Sequence, residues 1–190
     1  MNLSPLDIRV IVIAVVVVLI IAGLSWMYMR RRKTAALRQK FGSEYNRAVL
    51  VHGSERKAEA KLADREKRVE KLTIRDLDAS EHGRFAKRWE NVQARFVDSP
   101  KGAVMEADDL LSDLMKTRGY PVSDFEQRAA DISVDHPKVV ENYRSAHETT
   151  LRVGKSEAST DELRAAMIHY RDLYEELMRV APPKVEKAAS

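Results

Sequence analysis

An uncharged apolar stretch near the N-terminus constrains the fold of this chain more than any other feature. From Val10 to Met29 no side chain is charged, and residues 11–24 read IVIAVVVVLIIAGL. A helix of about 20 residues is about 30 Å long, which matches the hydrocarbon thickness of a bilayer. A single β-strand is rarely this long. The stretch therefore predicts a transmembrane helix over residues 10–29, after a short leader of residues 1–9.

Aromatic and basic residues follow the apolar stretch in the order typical of a membrane surface. Aromatic rings favour the headgroup layer, and Lys and Arg are retained on the cytoplasmic side. The predicted membrane-interface residues are Trp26, Tyr28, Arg30, Arg31, Arg32 and Lys33. The basic juxtamembrane segment, residues 30–42, also has the charge to bind anionic lipid headgroups. We expect a single-pass protein of the plasma or bacterial inner membrane, with the N-terminus outside and the C-terminal domain in the cytoplasm.

A cleaved signal peptide is the alternative interpretation of the same stretch. It requires a basic leader, a shorter apolar core and small residues at the cleavage site. The leader here carries one Arg and one Asp, and the bulky residues 26–29 (WMYM) follow the apolar core. These features favour an anchor that is retained in the mature protein.

The net charge of +4 is concentrated next to this anchor. Residues 1–40 hold 7 of the 33 Lys and Arg and 1 of the 29 Asp and Glu, so this part carries +6 and the rest of the chain carries −2. A slightly acidic body is a poor binder of nucleic-acid phosphates. The sequence therefore predicts no nucleic-acid partner, and the basic residues bear on membrane topology instead.

The composition of the body is typical of an all-α protein. With 7 Gly, 6 Pro and 0 Cys, the chain has few turn formers and has neither disulfides nor thiolate metal sites. We expect a charged stalk helix or helices over residues 43–72, a linker over 73–79, a bundle of about five helices over 80–180 and a disordered tail over 181–190.

The predicted stalk contains the strongly charged segment ERKAEAKLADREKRVEKL, residues 55–72. Its apolar residues Ala58, Leu62, Val69 and Leu72 fit a coiled-coil seam only if Arg65 occupies one seam position. Such a seam would form a homodimer. We favour the alternative, in which a solvated charged helix lays one edge on the domain.

Apolar residues at helical spacing and capping residues predict the helices of the bundle. Phe85, Trp89, Val92 and Phe96 lie on one face of a helix. Gly119 followed by Pro121 ends the next helix. The predicted helix starts are Ser80 as an N-cap, Ser123 with Glu126 as a capping box, Pro137 in a first turn, and Ser159 with Glu162 as a second capping box.

Sequence motifs for phosphate binding and for metal binding are incomplete in this chain. Gly154, Lys155 and Ser156 resemble the end of a P-loop, but Thr149 occupies the position of its first glycine. The histidines do not form a metal-binding pair on one helix face, so we predict no metal and no cofactor. Residues His136, Tyr143, His147 and His169 are the candidates for a pocket assembled within the bundle.

Three segments carry a resemblance, namely residues 84–100 (RFAKRWENVQARFVDSP), 118–147 and 163–177 (LRAAMIHYRDLYEEL). Together they resemble a group of uncharacterised bacterial proteins with one N-terminal span and a helical body. The resemblance covers most of the body. It implies this architecture and supplies no catalytic residues.

The function expected from these features is protein interaction at a membrane. An anchor, a charged stalk and a body without a chemical motif are typical of a tethered cytoplasmic module that binds an unknown cytoplasmic protein and is not an enzyme. The alternative is a small-molecule sensor or an enzyme whose site is assembled within the bundle. An exposed apolar patch favours the first hypothesis, and a deep polar pocket favours the second.

Overall fold

The predicted all-α class is confirmed by a computed structural model, which describes residues 5–121, 123–155 and 157–179, with side chains from Ala14 onward. This part of the chain contains eight helices and no strand. They are α1 (Pro5–Phe41), α2 (Ser43–His52), α3 (Glu55–Val69), α4 (Ala79–Asp98), α5 (Pro100–Arg118), α6 (Phe125–Asp135), α7 (Val140–Val153) and α8 (Thr160–Met178). The predicted disordered tail, residues 181–190, and residues 1–4 of the leader lie outside the described residues. Residues 1–40 and 41–190 form two compact units.

The N-terminal unit consists of α1, whose 37 residues include the predicted transmembrane segment and the basic segment after it. Side chains 14–33 are exposed, and the segment Ala14–Phe41 is long and apolar enough to cross a membrane. The Arg30 guanidinium lies 5.7 Å from the centre of the Trp26 ring, and that of Arg32 lies 5.0 Å from the Tyr28 ring. Two of the basic residues predicted for the membrane interface, Arg30 and Arg32, thus lie against its two aromatic rings along α1.

The second unit begins with two helices, α2 and α3, in the range predicted to form a stalk. Ser54 accepts a hydrogen bond from the Lys57 backbone N–H and caps α3, while Gly53 ends α2 in the left-handed region. α3 packs on α2 and on α6, and its residues Ala58 and Leu62 are completely buried. The charged helix therefore lays its apolar edge on the body. Of the side chains that would form a coiled-coil seam, Ala58, Leu62 and Val69 are buried within the chain and Leu72 is partly buried.

The core of the bundle lies around α5, which packs against α4, α7 and α8. Leu110, Leu111 and Leu114 of this helix are completely buried. The predicted face of α4 is confirmed, because Phe85, Trp89 and Val92 lie in the same core. The apolar spacing in the sequence thus located the inward face of α4.

The residues that begin two of the helices differ from those predicted. Asp78, not Ser80, caps α4, and its carboxylate forms a complete capping box with Glu81. Asp124, not Ser123, caps α6 by accepting the backbone N–H of Gln127 at 2.8 Å. In both cases a carboxylate replaces a nearby serine, because its negative charge also interacts favourably with the helix dipole.

The start of α8 agrees with the prediction, whereas that of α7 does not. Ser159 and Glu162 form the capping box of α8. α7 begins at Val140, and Pro137 lies in a preceding turn closed by a hydrogen bond from Val139 N–H to His136 C=O. Proline lacks an N–H group, so it fits this turn as well as a first helical turn.

The predicted linker is ordered and packs on the bundle. Ile74 and Leu77 contact the core, and the Arg75 N–H donates to the Arg118 carbonyl at 2.9 Å. Gly119 ends α5 with φ of +101°, as predicted, and a Cβ atom there would lie 2.3 Å from the carbonyl oxygen of Thr73. The left-handed backbone and this close approach both require glycine.

Candidate functional site

One of the four candidate pocket residues, His147, lies in a polar cluster between α5, α6, α7 and α8, and a second, Tyr143, lies beside it. His147 stacks on Phe125, with the ring centroids 3.6 Å apart, and its Nδ1 lies 3.3 Å from Asp108 Oδ1. The Tyr170 hydroxyl donates to the same Asp108 oxygen at 3.1 Å and lies 2.7 Å from Thr150 Oγ1. Burial raises the pKa of Tyr170, and the adjacent carboxylate raises it further.

Tyr143 lies beside this cluster and contacts the rings of Phe125 and Tyr170. Its hydroxyl is buried and, among the described residues, has no hydrogen-bond partner of good geometry. Burial raises the pKa of Tyr143 to about 12, with a further increase from Asp108 and an opposing effect of the nearby Arg128 guanidinium. This phenol therefore remains neutral at physiological pH.

The other two candidates do not contact that cluster in the part of the chain that the structure describes. His136 Nδ1 lies 3.1 Å from Glu176 Oε1 near the end of α8. His169 has its Nδ1 buried without a hydrogen-bond partner among the described residues. The four side chains predicted as one pocket therefore occupy at least two separate places, and none of them lines the four clefts described below.

A second polar cluster, absent from the sequence-based predictions, joins α2 and α3 to α6 and α7. Glu44 is 2% exposed, and its two carboxylate oxygens accept from Arg144 Nε at 3.1 Å and from an Arg65 guanidinium N–H at 2.9 Å. Arg144 is also buried and donates to Glu126 at 2.6 Å. We call these four residues the Glu44 network. It is an ion network between parts of the chain that are distant in sequence, and two of its members, Glu44 and Arg144, are buried.

Two clefts of about 460 and 600 Å³ open beside the Glu44 network. The larger is lined by charged residues from α2, α3 and α6, and Arg68 there donates two hydrogen bonds to the buried Asp131. Most of the cations at these clefts are already paired with carboxylates within the chain. The clefts therefore have polar walls whose charges are largely satisfied.

A third cleft, of about 520 Å³, lies between the first half of α4 and the end of α5. It has the pairs Arg75–Glu81 and Arg88–Asp113 on its walls. The adjacent Arg84 guanidinium lies 5.0 Å from the Phe85 ring centre. The cleft is open to solvent and mostly polar, so it does not exclude water from a ligand.

A groove with a different, apolar character lies between α4 and α8. Its volume is about 230 Å³. It is lined by Trp89, Gln93, Phe96, Arg164, Met167, Ile168 and Arg171. Ile168 is 45% exposed, and Val97, next to the lining residue Phe96, is 82% exposed. We call this feature the α4/α8 groove.

Packing explains why the α4/α8 groove is open. α4 and α8 both pack closely on α5, but their own backbones approach each other at few points. One end is bridged by Trp89 and Tyr174, whose rings stack with centroids 4.6 Å apart. Beyond this stack, Ile168 is exposed and Phe96 is partly buried, whereas Met167 belongs to the core. An accessible apolar groove of this kind is a typical site for a partner's side chains.

The sequence placed Trp89 and Phe96 on one apolar face but assigned that face to the core. Trp89 is 6% exposed and does belong to the core, while Phe96 is only partly buried. Helical spacing locates such a face but does not state whether a further helix covers it. In the sequence of α8, Arg164, Ile168 and Arg171 place an apolar residue between two charged residues on one face of the helix. This pattern was the one available sign of a groove edge.

Among the described residues, no group of three or more His, Asp or Glu side chains is placed to hold a metal ion. Comparison with known proteins finds no matching family, no matching curated protein and no matching solved structure.

Proposed function

We propose that this chain is a membrane-anchored, non-enzymatic helical module that binds a cytoplasmic protein. The α4/α8 groove is the observation that carries the proposal, because it combines accessible apolar side chains with a rim of two arginines. The polar cluster around Asp108 is less suited to catalysis, since its residues pack against one another rather than line one of the described clefts. A binding surface accounts for these features better than a reaction centre.

The membrane part of the proposal is supported by α1. Its length and hydropathy satisfy the requirements of a span, and its side chains from 14 to 33 are exposed. The basic residues 30–33 favour a cytoplasmic body and an N-terminus on the opposite side. They also favour contact with anionic lipid headgroups. Anchoring would raise the concentration of the module near any partner at the membrane.

Site-specific photo-crosslinking of the full chain in cells tests the binding function. A photoreactive amino acid is placed at Ile168 in the groove or, as a matched control, at Leu151 of α7. Both side chains are apolar and exposed, but Leu151 lines none of the described clefts. We expect one discrete adduct from position 168 only. No adduct, or the same adducts from both positions, contradicts the proposal.

The membrane topology can be tested without removing any native thiol, because the chain has 0 Cys. Asn2→Cys and Ser190→Cys variants are treated with a maleimide that does not cross membranes. We expect labelling of intact cells at position 2 only, and labelling at position 190 only after the membrane is opened. The reverse pattern contradicts the predicted orientation, and recovery of the chain in the soluble fraction contradicts the anchor.

A further inference from the structure

The chemistry of the α4/α8 groove identifies the class of partner that it fits. We infer that the groove binds an acidic amphipathic helix, with the apolar residues of the helix on the groove floor and its carboxylates at the arginine rim. This inference rests on the proposed binding function and adds the identity of the ligand.

The shape of the groove fits about two turns of a helix. The α4 residues that line it extend from Trp89 to Phe96, and those of α8 extend from Arg164 to Arg171. Seven residues of a helix rise about 10.5 Å, so both walls are about two turns long. A helix lying there would present anchors at positions i, i+3 or i+4 and i+7. The groove volume of about 230 Å³ fits the apolar anchors of such a helix, whose backbone would lie above the groove.

The charge of the groove selects an acidic partner. Among the described residues that line it, two are arginines and none is acidic. Arg164 is paired with Asp161 and Arg171 with Glu175, but both pairs are exposed contacts within α8. Exposed pairs of this type contribute little stability. A carboxylate from a partner can therefore replace Asp161 or Glu175 at small cost.

The two arginines of the rim differ in exposure. The Arg164 side chain is 61% exposed, whereas that of Arg171 is 47% exposed. Arg164 is therefore the more accessible of the two to a carboxylate of the partner, and its substitution is the one used in the test.

Two other occupants fit the charge less well. The last eleven residues of this chain, VAPPKVEKAAS, hold two Lys and one Glu, so they would bring positive charge to the arginine rim. The juxtamembrane segment of a second copy, residues 30–40, is strongly basic and has the same disadvantage. A separate acidic helix avoids this repulsion.

The test uses the full chain in nanodiscs. The sequence has two tryptophans, and Trp26→Phe leaves only Trp89, whose fluorescence then reports on the groove. The probes are two 14-residue amphipathic helical peptides with the same leucine face and either glutamate or lysine on the flanks. We expect Trp89 fluorescence to show at least about tenfold tighter binding of the glutamate peptide, and the ratio should decrease in 0.5 M NaCl.

Arg164→Gln should remove most of this tenfold preference, whereas Arg152→Gln should leave it unchanged. Arg152 is the matched control because it forms an exposed pair with Glu162 and lines none of the described clefts. Equal affinity for both peptides would overturn the acidic-partner inference. The same inference would be overturned if the chain self-associates and Ile168→Lys abolishes that self-association.

The outcomes separate this inference from the proposed function. If the crosslink from position 168 forms but neither peptide binds, the partner class is wrong and the interaction function stands. If the crosslink is absent as well, the interaction function itself fails. A preference for the lysine peptide would reverse the assigned chemistry of the partner.

Discussion

The Glu44 network gives the sharpest test of how this body is held together. Glu44→Ala removes the acceptor of two charge-assisted hydrogen bonds, of 3.1 Å from Arg144 and 2.9 Å from Arg65. Each such bond contributes about 1.5–3 kcal/mol. Arg144 would remain buried, with the 69% exposed Glu126 as its remaining ion-pair partner. Removing one partner of a buried pair costs about 3–5 kcal/mol, and we expect a loss of about 4 kcal/mol in the free energy of unfolding.

Urea unfolding of the full chain in detergent measures this loss. In a Trp26→Phe background the fluorescence signal comes from Trp89 alone, so the transition reports on the bundle and not on α1. With a slope of about 2 kcal/mol/M, a loss of about 4 kcal/mol lowers the midpoint by about 2 M urea. A decrease below about 0.5 M would refute the argument that the network stabilises the fold.

Glu175→Ala is the matched control, since it removes a carboxylate that is 57% exposed and lies 3.7 Å from Arg171. Its free energy of unfolding should change by less than about 0.5 kcal/mol. The double variant Glu44→Ala with Arg144→Ala tests whether the loss comes from the contact itself. Its cost should be lower than the sum of the single variants by about 1–3 kcal/mol, and simple additivity would contradict direct coupling.

Two further predictions concern helix ends. Gly119→Ala should destabilise the bundle by at least about 1–3 kcal/mol in the same urea assay. Residue 119 has a φ of +101°, and the Cβ atom of an alanine there would lie 2.3 Å from the Thr73 carbonyl oxygen. An unchanged midpoint would contradict this prediction. Hydrogen bonds from Ser159 and Arg152 lower the pKa of Glu162 to about 2, below its unfolded value. These hydrogen bonds therefore stabilise the start of α8 above about pH 4.5. This stabilisation is lost as the pH falls toward 2. Amide exchange at the first turn of α8 should increase over that interval in the native chain, and Glu162→Gln should abolish the pH dependence.

The elements that the sequence predicted well are those specified by local chemistry. The apolar face of α4, the glycine end of α5 and the capping box of Ser159 with Glu162 each depend on residues within one or two helical turns. Such signals are complete in a short window of sequence. Where two candidates compete within that window, as Asp78 and Ser80 do, the sequence leaves the choice open.

The features that the sequence did not predict depend on contacts across long separations. Glu44 and Arg144 are 100 residues apart, and as single charged residues in amphipathic helices both are expected on the surface. Their burial becomes visible only when α2 and α7 are placed side by side. The same reason explains why His136, His147 and His169 could be proposed as one pocket, since spacing along the chain does not fix distances between helices.

The contrast between the two buried polar clusters and the α4/α8 groove supports the proposed binding function over catalysis. A reaction centre needs polar groups that converge on a space for substrate. Here Asp108 is occupied by His147 and Tyr170, and Glu44 by Arg65 and Arg144, so both carboxylates are used inside the fold. The α4/α8 groove differs, because Phe96 and Ile168 on its apolar floor are at least partly accessible and its arginines are held only by weak surface pairs. Burying such a floor releases free energy only when a second molecule covers it.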